Sequence, residues 1–270
     1  MNDHEYTFLK AKILKLTGID LDNYKTQQMR RRLDGLISRS QAPGIIPYCK
    51  LLEQDQGALG KLRDFLTINV SEFYRDAAQF GLLKTRIIPE LLRRSPSLNI
   101  WSAGCSMGAE PYSVAMMLAQ LSPRGKHRIL ATDLDENILA KARAGGPYSS
   151  ADVKNVDRKL LAEHFAVSPE GYWARDGLKS KVVFRAQNLL SDPFEQGFDL
   201  IICRNVVIYF SDEAKTKLNQ GFYRSLKDNG VLFIGGTETL LDAQDLGFER
   251  MCTSYYQKNI RTMPQRAVAA

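Results

Sequence analysis

Apolar positions along this chain follow two rhythms. Through residue 90 they recur at helical spacing without strict alternation, and Gly18, Pro43-Gly44 and Gly57 break the runs. This pattern predicts helices over residues 6–17, 22–40, 46–54, 57–67 and 77–90. From Ser97 onward, strand-length apolar runs alternate with helical stretches, the signature of a mostly parallel sheet. Strands are predicted over 98–101, 128–132, 182–186, 199–203 and 231–234, with helices over 111–121, 136–144 and 212–226. Residues 248–251 and 254–257 predict a closing antiparallel pair. The stretch 145–181 is too long for one strand-to-strand connection. It predicts a helix over 157–164 and a small hairpin or three-stranded sheet. The expected organisation is a helical N-terminal domain over 1–90, an α/β domain over 91–270, and an inserted β-subdomain over 147–181.

The segment WSAGCSMGAEPYS, residues 101–113, lies between the first predicted strand and its helix. A strand, a glycine-bearing turn and a helix bring backbone N–H groups up to a nucleotide-like ligand at the C-terminal edge of a sheet. Gly104 and Gly108 are spaced G-x-x-x-G, not the G-x-G-x-x-G of a pyrophosphate loop. Glu110 adds a carboxylate that would repel phosphate but suits a ligand cationic on that side. S-adenosylmethionine carries both a sulfonium and an amino group.

Three further loops belong at the same edge. Asp133 ends the second strand, where a carboxylate can accept both hydroxyls of a ribose; Asp135 reads equally as a helix N-cap. Asn188 suits an adenine edge, with Leu189 over a ring face, although Asn188 also fits a plain turn. Arg204, Asn205 and Tyr209 leave the 199–203 strand together, a polar set that packing alone does not explain. Asn69, Ser71 and Arg75 form another polar set at near-helical spacing, which in isolation reads as a capped helix.

The chain carries 37 Lys and Arg against 30 Asp and Glu, a net charge of +7, which admits an acidic partner. The surplus is uneven. Lys25, Arg30, Arg31, Arg32 and Arg39 lie on one predicted amphipathic helix, opposite the apolar face of Met29, Leu33, Leu36 and Ile37, with Asp34 the only acid in the stretch. Such a helix is either a solvated face or a docking surface; three consecutive arginines favour docking. The longest apolar runs are too short to cross a bilayer. The opening MNDHEYTFLK lacks a basic-then-apolar signal pattern, and the four scattered cysteines form no metal or disulfide pattern. A cytoplasmic protein without a structural metal is expected.

Six segments, TINVSEFYRD, WSAGCSMGAEPYS, ATDLDENILAKAR, QNLL, FDLIICRNVVIYF and GVLFIGGTE, occur in one order between residues 67 and 238, within a resemblance that covers roughly residues 6–258. In that order they resemble the chemoreceptor glutamate methyltransferases, the CheR family. The resemblance implies a Rossmann-like class I S-adenosylmethionine-dependent methyltransferase domain, an all-helical N-terminal domain and a small inserted β-subdomain. It implies that Asn69, Ser71, Arg75, Ala103, Glu110, Asp133, Asn188, Leu189, Arg204 and Asn205 surround S-adenosylmethionine, with S-adenosylhomocysteine as product. Arg75 and Tyr209 match the positions that arrange the reacting groups.

The partner so implied is the acidic helical cytoplasmic region of methyl-accepting chemotaxis receptors, with the basic helix as docking surface and the enzyme recruited to membrane receptor arrays. Neither nucleic acid nor membrane insertion is expected. The stretch 165–173 is shorter than the glycine-bearing loop of members that bind a receptor C-terminal tether, so tether independence is expected. Two other readings stand beside this one. A nucleic-acid methyltransferase would suit the charge, but an Asn/Asp-Pro-Pro-Tyr element is absent and Cys203 reads as a buried strand residue. A non-catalytic cofactor-binding module would be expected only if the site were eroded, and its polar residues are present.

Overall fold

The computed structural model describes residues 1–67, 71–240 and 243–259. The chain forms two compact units, Met1–Ile68 with Val206–Lys217, and Asn69–Asn205 with Leu218–Ala270.

The first unit holds α1 (Asp3–Thr17), α2 (Thr26–Ser38), α3 (Ile45–Gln54) and α4 (Gln56–Thr67). Asn2 and Glu5 close a reciprocal capping box on α1, and Gly18 ends it at φ 74°. Leu9, Ile13, Leu33, Leu52 and Leu62 are completely buried between the helices. The helix expected over 22–40 is shorter. A 3-10 turn at Leu21–Asn23 comes first, then extended Tyr24 and Lys25, and α2 begins only at Thr26. The reason is a long-range partner. Lys25 N–H donates to the Tyr209 carbonyl (3.0 Å), Ser211 N–H donates to the Asn23 carbonyl (2.8 Å), and Tyr24 bridges Phe210. Backbone groups committed to residues 209–211 cannot also close a helix.

The second unit is built on a seven-stranded sheet. Its strands are β1 (Asn99–Ala103), β2 (Arg128–Asp133), β5 (Val182–Ala186), β6 (Phe198–Cys203), β7 (Leu226–Ile234), β8 (Phe248–Cys252) and β9 (Tyr255–Lys258). Their order is β5-β2-β1-β6-β7-β9-β8, parallel from β5 through β7, with β9 and β8 antiparallel. Every residue of β6 is buried, as expected for a central parallel strand covered on both faces. The crossovers run through α7 (Ala109–Leu121), α8 (Glu136–Ala144) and α11 (Asp212–Ser225). Strand order reverses between β1 and β6, which opens a ligand crevice at the carboxyl ends of these strands. This is the doubly wound α/β arrangement that the sequence predicts.

The expected helix 77–90 is α5 (Ala77–Leu82), a wide π turn at Leu83–Ile87, and α6 (Ile88–Arg94). Pro89 has no N–H for the preceding turn, so a wider turn accommodates it. Phe80, Leu83, Ile87, Ile88 and Leu91 share one core with Ile100, Ile202 and Phe233 of the sheet. These helices therefore belong to the second unit, and the division falls after residue 68 rather than near residue 90. Between α8 and β5, residues 147–181 hold α9 (Arg158–His164), an antiparallel hairpin of β3 (Phe165–Ser168) and β4 (Gly171–Ala174), and α10 (Asp176–Lys179). Phe73 packs edge-on against Tyr148 and Phe165, with ring centres 4.8 and 5.2 Å away.

Candidate active site

The turn after β1 is pinned by backbone bonds. Gly104 (φ 80°) and Cys105 both donate N–H to the Thr132 carbonyl, at 2.8 and 2.9 Å. Ala103 is fully buried just before it. Gly108 (φ 84°) then starts α7; a Cβ there would lie 3.0 Å from the Phe184 ring and 3.2 Å from Ala142 Cβ. This fixes Glu110 in the first turn of α7, where its carboxylate accepts Ser102 Oγ at 2.7 Å and lies 3.6 Å from Arg204 Nη1. Burial raises the Glu110 pKa; Arg204, the Ser102 hydroxyl and the charge of Arg75 pull it back.

Arg204 is 6% exposed at the end of β6. It pairs with Asp76 on one side and Glu110 on the other, and lies over the rings of Phe80 (5.2 Å) and Phe233 (4.8 Å). Arg75 stands in a turn, not in the helix that its polar spacing suggested, between two residues with left-handed backbones, Tyr74 (φ 51°) and Asp76 (φ 61°). Tyr74 N–H donates to Ser113 Oγ (3.1 Å) and Phe73 N–H to the Asp152 carbonyl (3.0 Å), which hold this strained turn. Ser71 is half-buried in the same non-helical stretch. Asn69 lies outside the described residues.

Asp133 ends β2 with its carboxylate accepting N–H from Ser106 (2.7 Å) and Asp135 (3.1 Å). Burial raises its pKa, and those backbone bonds lower it in part. Asp135 caps α8 through the N–H groups of Asn137 and Ile138. After β5, Asn188 Oδ1 accepts Leu190 N–H at 3.0 Å, so the turn reading of Asn188 is met; Leu189 beside it is half-buried. Asn205 adopts φ 60°, and its N–H donates to Glu238 Oε2 (3.1 Å), which also accepts Gly235 N–H (2.7 Å).

Sequence reasoning gave no role to Glu238, Asp76, Ser106 or Gln187. Glu238 and Asp76 lie inside the quoted segments GVLFIGGTE and TINVSEFYRD, but their partners are distant in the chain. Among the described residues, buried polar atoms without hydrogen-bond partners remain near the strand ends, including Ser106 Oγ, Gln187 Oε1 and Arg204 Nε. Cys203 is fully enclosed, and burial pushes its thiol well up, the opposite of what a nucleophilic cysteine needs.

Residues 4–67 match the model for "CheR methyltransferase, all-alpha domain", and residues 69–256 match "CheR methyltransferase, SAM binding domain". The chain belongs to the CheR methyltransferase family. It is 36% identical over 257 residues to a chemotaxis protein methyltransferase of Listeria monocytogenes, covering 95% of this chain and 98% of the relative. It is 33% identical to chemotaxis protein methyltransferase 1 of Pseudomonas aeruginosa (89% and 92% covered). To the chemotaxis protein methyltransferase of Borreliella burgdorferi it is 32% identical (90% and 89% covered). S-adenosylmethionine is the cofactor of this CheR-family chain. The site's chemistry fits it: half-buried Glu110 and buried Asp133 can accept from an ammonium and from ribose hydroxyls, and Ser106 Oγ and Arg204 Nε have no hydrogen-bond partner among the described residues.

In the first unit the five basic residues separate by environment. Lys25, Arg31 and Arg39 are exposed. Arg30 bonds the Met1 carbonyl and Asp3. Arg32 donates to the Phe65 carbonyl, and its guanidinium faces the ring of Tyr209. Tyr209 is half-buried in a 3-10 turn, Val207–Tyr209. No helix among the described residues is long and apolar enough to cross a membrane.

Proposed function

We propose that this CheR-family enzyme methylates glutamate side chains on the acidic, helical cytoplasmic region of chemotaxis receptors, forming glutamate methyl esters and releasing S-adenosylhomocysteine. The observation that carries the reading is a pair of carboxylates, half-buried Glu110 in the first turn of α7 and buried Asp133 at the end of β2, in a chain matching both CheR domains.

When bound, S-adenosylmethionine supplies a methyl carbon on a sulfonium, which departs as a neutral thioether and needs no proton. The chain's own residues bind and orient. Glu110 accepts hydrogen bonds from the cofactor's amino group, and Asp133 from its ribose. Ala103 and Gly104 line it with backbone; Asn188 and Leu189 face the base; Asn69, Ser71, Arg204 and Asn205 complete the surround. A glutamate substrate is already ionised at neutral pH, so no general base is required. Arg75 orients the incoming carboxylate and Tyr209 steadies the reacting end. Orientation of this kind is worth about 7–11 kcal/mol in favourable cases.

Lys25, Arg31 and Arg39 steer the acidic receptor, with an attraction that weakens as salt rises. The β3–β4 connection is only Pro169 and Glu170, which supports independence from a receptor tether peptide. The enzyme works in the cytoplasm and is recruited to receptor arrays. The test is methylation of receptor cytoplasmic domains with labelled S-adenosylmethionine. A base-labile product identifies the ester; a base-stable product, or labelling of RNA instead, overturns the proposal.

A further inference from the structure

Arg30, Arg31 and Arg32 are consecutive, yet α2 sends them to different surroundings. Arg31 is exposed. Arg32 Nη2 donates to the Phe65 carbonyl at 2.6 Å, and its guanidinium carbon lies 4.7 Å from the ring centre of Phe65 and 5.3 Å from that of Tyr209. Its Nη1 is buried and has no hydrogen-bond partner among the described residues. A half-buried guanidinium that contacts two rings, with one end spent on a carbonyl, is less free to meet an acidic partner than exposed Arg31. Burial lowers its pKa, while the facing phenols of Tyr209 and Tyr24 oppose that fall.

The segment Arg32 meets is also tied to the first unit by backbone. Lys25 N–H reaches the Tyr209 carbonyl, Ser211 N–H reaches the Asn23 carbonyl, and the Tyr24 and Phe210 rings meet edge-on at 5.2 Å. These bonds hold the main chain on both sides of Tyr209 but not its ring. Among the described residues, Arg32 is the charged contact on the ring itself.

We infer that Arg32 is a positioning residue: its guanidinium, held by Phe65, fixes the Tyr209 ring and the segment around it against α2, which carries the exposed docking cation Arg31 and is preceded by the second one, Lys25. A receptor helix anchored on α2 is then anchored relative to Tyr209. The kinetic consequence rests on the proposed role of Tyr209 at the reacting end; the structural consequence does not.

The test uses full-length Arg32→Met, Arg32→Lys, Arg31→Met and Tyr209→Leu proteins, with hydrogen exchange and methylation kinetics. Arg32→Met is expected to speed amide exchange across residues 206–211 about tenfold, the size of a partly desolvated cation–π contact. Its kcat with saturating S-adenosylmethionine should fall by a similar factor, independently of salt. Adding Arg32→Met to Tyr209→Leu should then lower kcat no further. Arg31→Met should leave exchange in that segment at the wild-type level and raise the receptor KM in a salt-dependent way.

If Arg32→Met instead behaves like Arg31→Met in exchange, KM and salt dependence, Arg32 is a docking cation and the inference fails. Should Arg32→Met not fold, Arg32→Lys, which keeps the charge but loses the fork, decides by the same exchange measurement. If Tyr209→Leu alone leaves kcat intact, the role given to Tyr209 is wrong. Exchange across 206–211 then still decides whether Arg32 holds the segment.

Discussion

Glu110 combines two demands that oppose each other. Its burial disfavours the charge, whereas a cationic ligand needs that charge; Arg204, Ser102 and Arg75 offset only part of the cost. An acid whose folded pKa is raised stabilises the fold through its protonated form. That contribution is complete below the unfolded value of about 4.3 and is lost as pH rises through the higher folded value. Glu110→Gln should therefore gain on the wild type in urea midpoint as pH rises from about 4 toward neutrality, in the ligand-free protein. The same variant should bind S-adenosylmethionine about 10- to 100-fold more weakly, because hydrogen bonds to charged groups are worth about 1.5–3 kcal/mol. Parallel stability curves for the two proteins would show that Glu110 bears no burial cost. Asp133→Asn should also weaken cofactor binding, and by titration calorimetry the loss should be about tenfold or more. Glu110 and Asp133 could be singled out in the sequence because each is an acid just after a predicted strand, in a loop or at a helix start. Glu238 was not, since the N–H groups it accepts, on Asn205 and Gly235, belong to the tips of two strands that only the folded sheet brings together.

Elements built from local patterns read most directly. The buried runs of β1, β2, β6 and β7 announce a parallel sheet, and the Gly108 break announces the start of α7. Elements shaped by distant partners did not: the shortened start of α2 follows from bonds to residues 209–211, and the π turn before α6 follows from Pro89. Gly108 supplies a test at this scale. Its positive φ strains any side chain, and a methyl group would sit 3.0 Å from the Phe184 ring and 3.2 Å from Ala142 Cβ, so these neighbours would have to shift by a few tenths of an ångström. Gly108→Ala should destabilise the protein by about 1–3 kcal/mol in chemical denaturation. A change within a few tenths would mean that α8 and β5 give way. The clamp between β6 and β7 supplies a second test. Glu238→Ala removes the acceptor shared by two N–H groups and should cost about 1–3 kcal/mol. Glu238→Gln retains a carbonyl oxygen and should lose less; equal losses would assign the effect to charge rather than to the two bonds.

At the scale of the whole chain, the sequence conceals one fact of organisation. Residues 206–217, far downstream, complete the unit begun by residues 1–68, and no local periodicity could reveal that return. The same unit carries the exposed basic residues of α2, while the carboxylates assigned to the cofactor stand in the other unit. Receptor affinity and cofactor affinity should therefore separate on mutation. The pair to reverse is Lys25 and Arg31, both exposed; Arg32 is engaged with Phe65 and Tyr209 and would confound the result. In a chain of net charge +7 facing an acidic receptor, two reversals remove a local attraction and add a local repulsion. The Debye length is about 10 Å at 0.1 M salt and about 3 Å at 1 M, so most of this effect is screened at the upper end. The Lys25→Glu, Arg31→Glu protein should show a receptor KM raised about tenfold at low salt, converging on the wild type as salt increases. Its dissociation constant for S-adenosylmethionine should stay within about twofold of the wild type, since neither residue is among those assigned to the cofactor. A KM difference that persists at high salt would point to shape rather than charge at this surface, and a matching loss of cofactor affinity would show that the two units do not act independently.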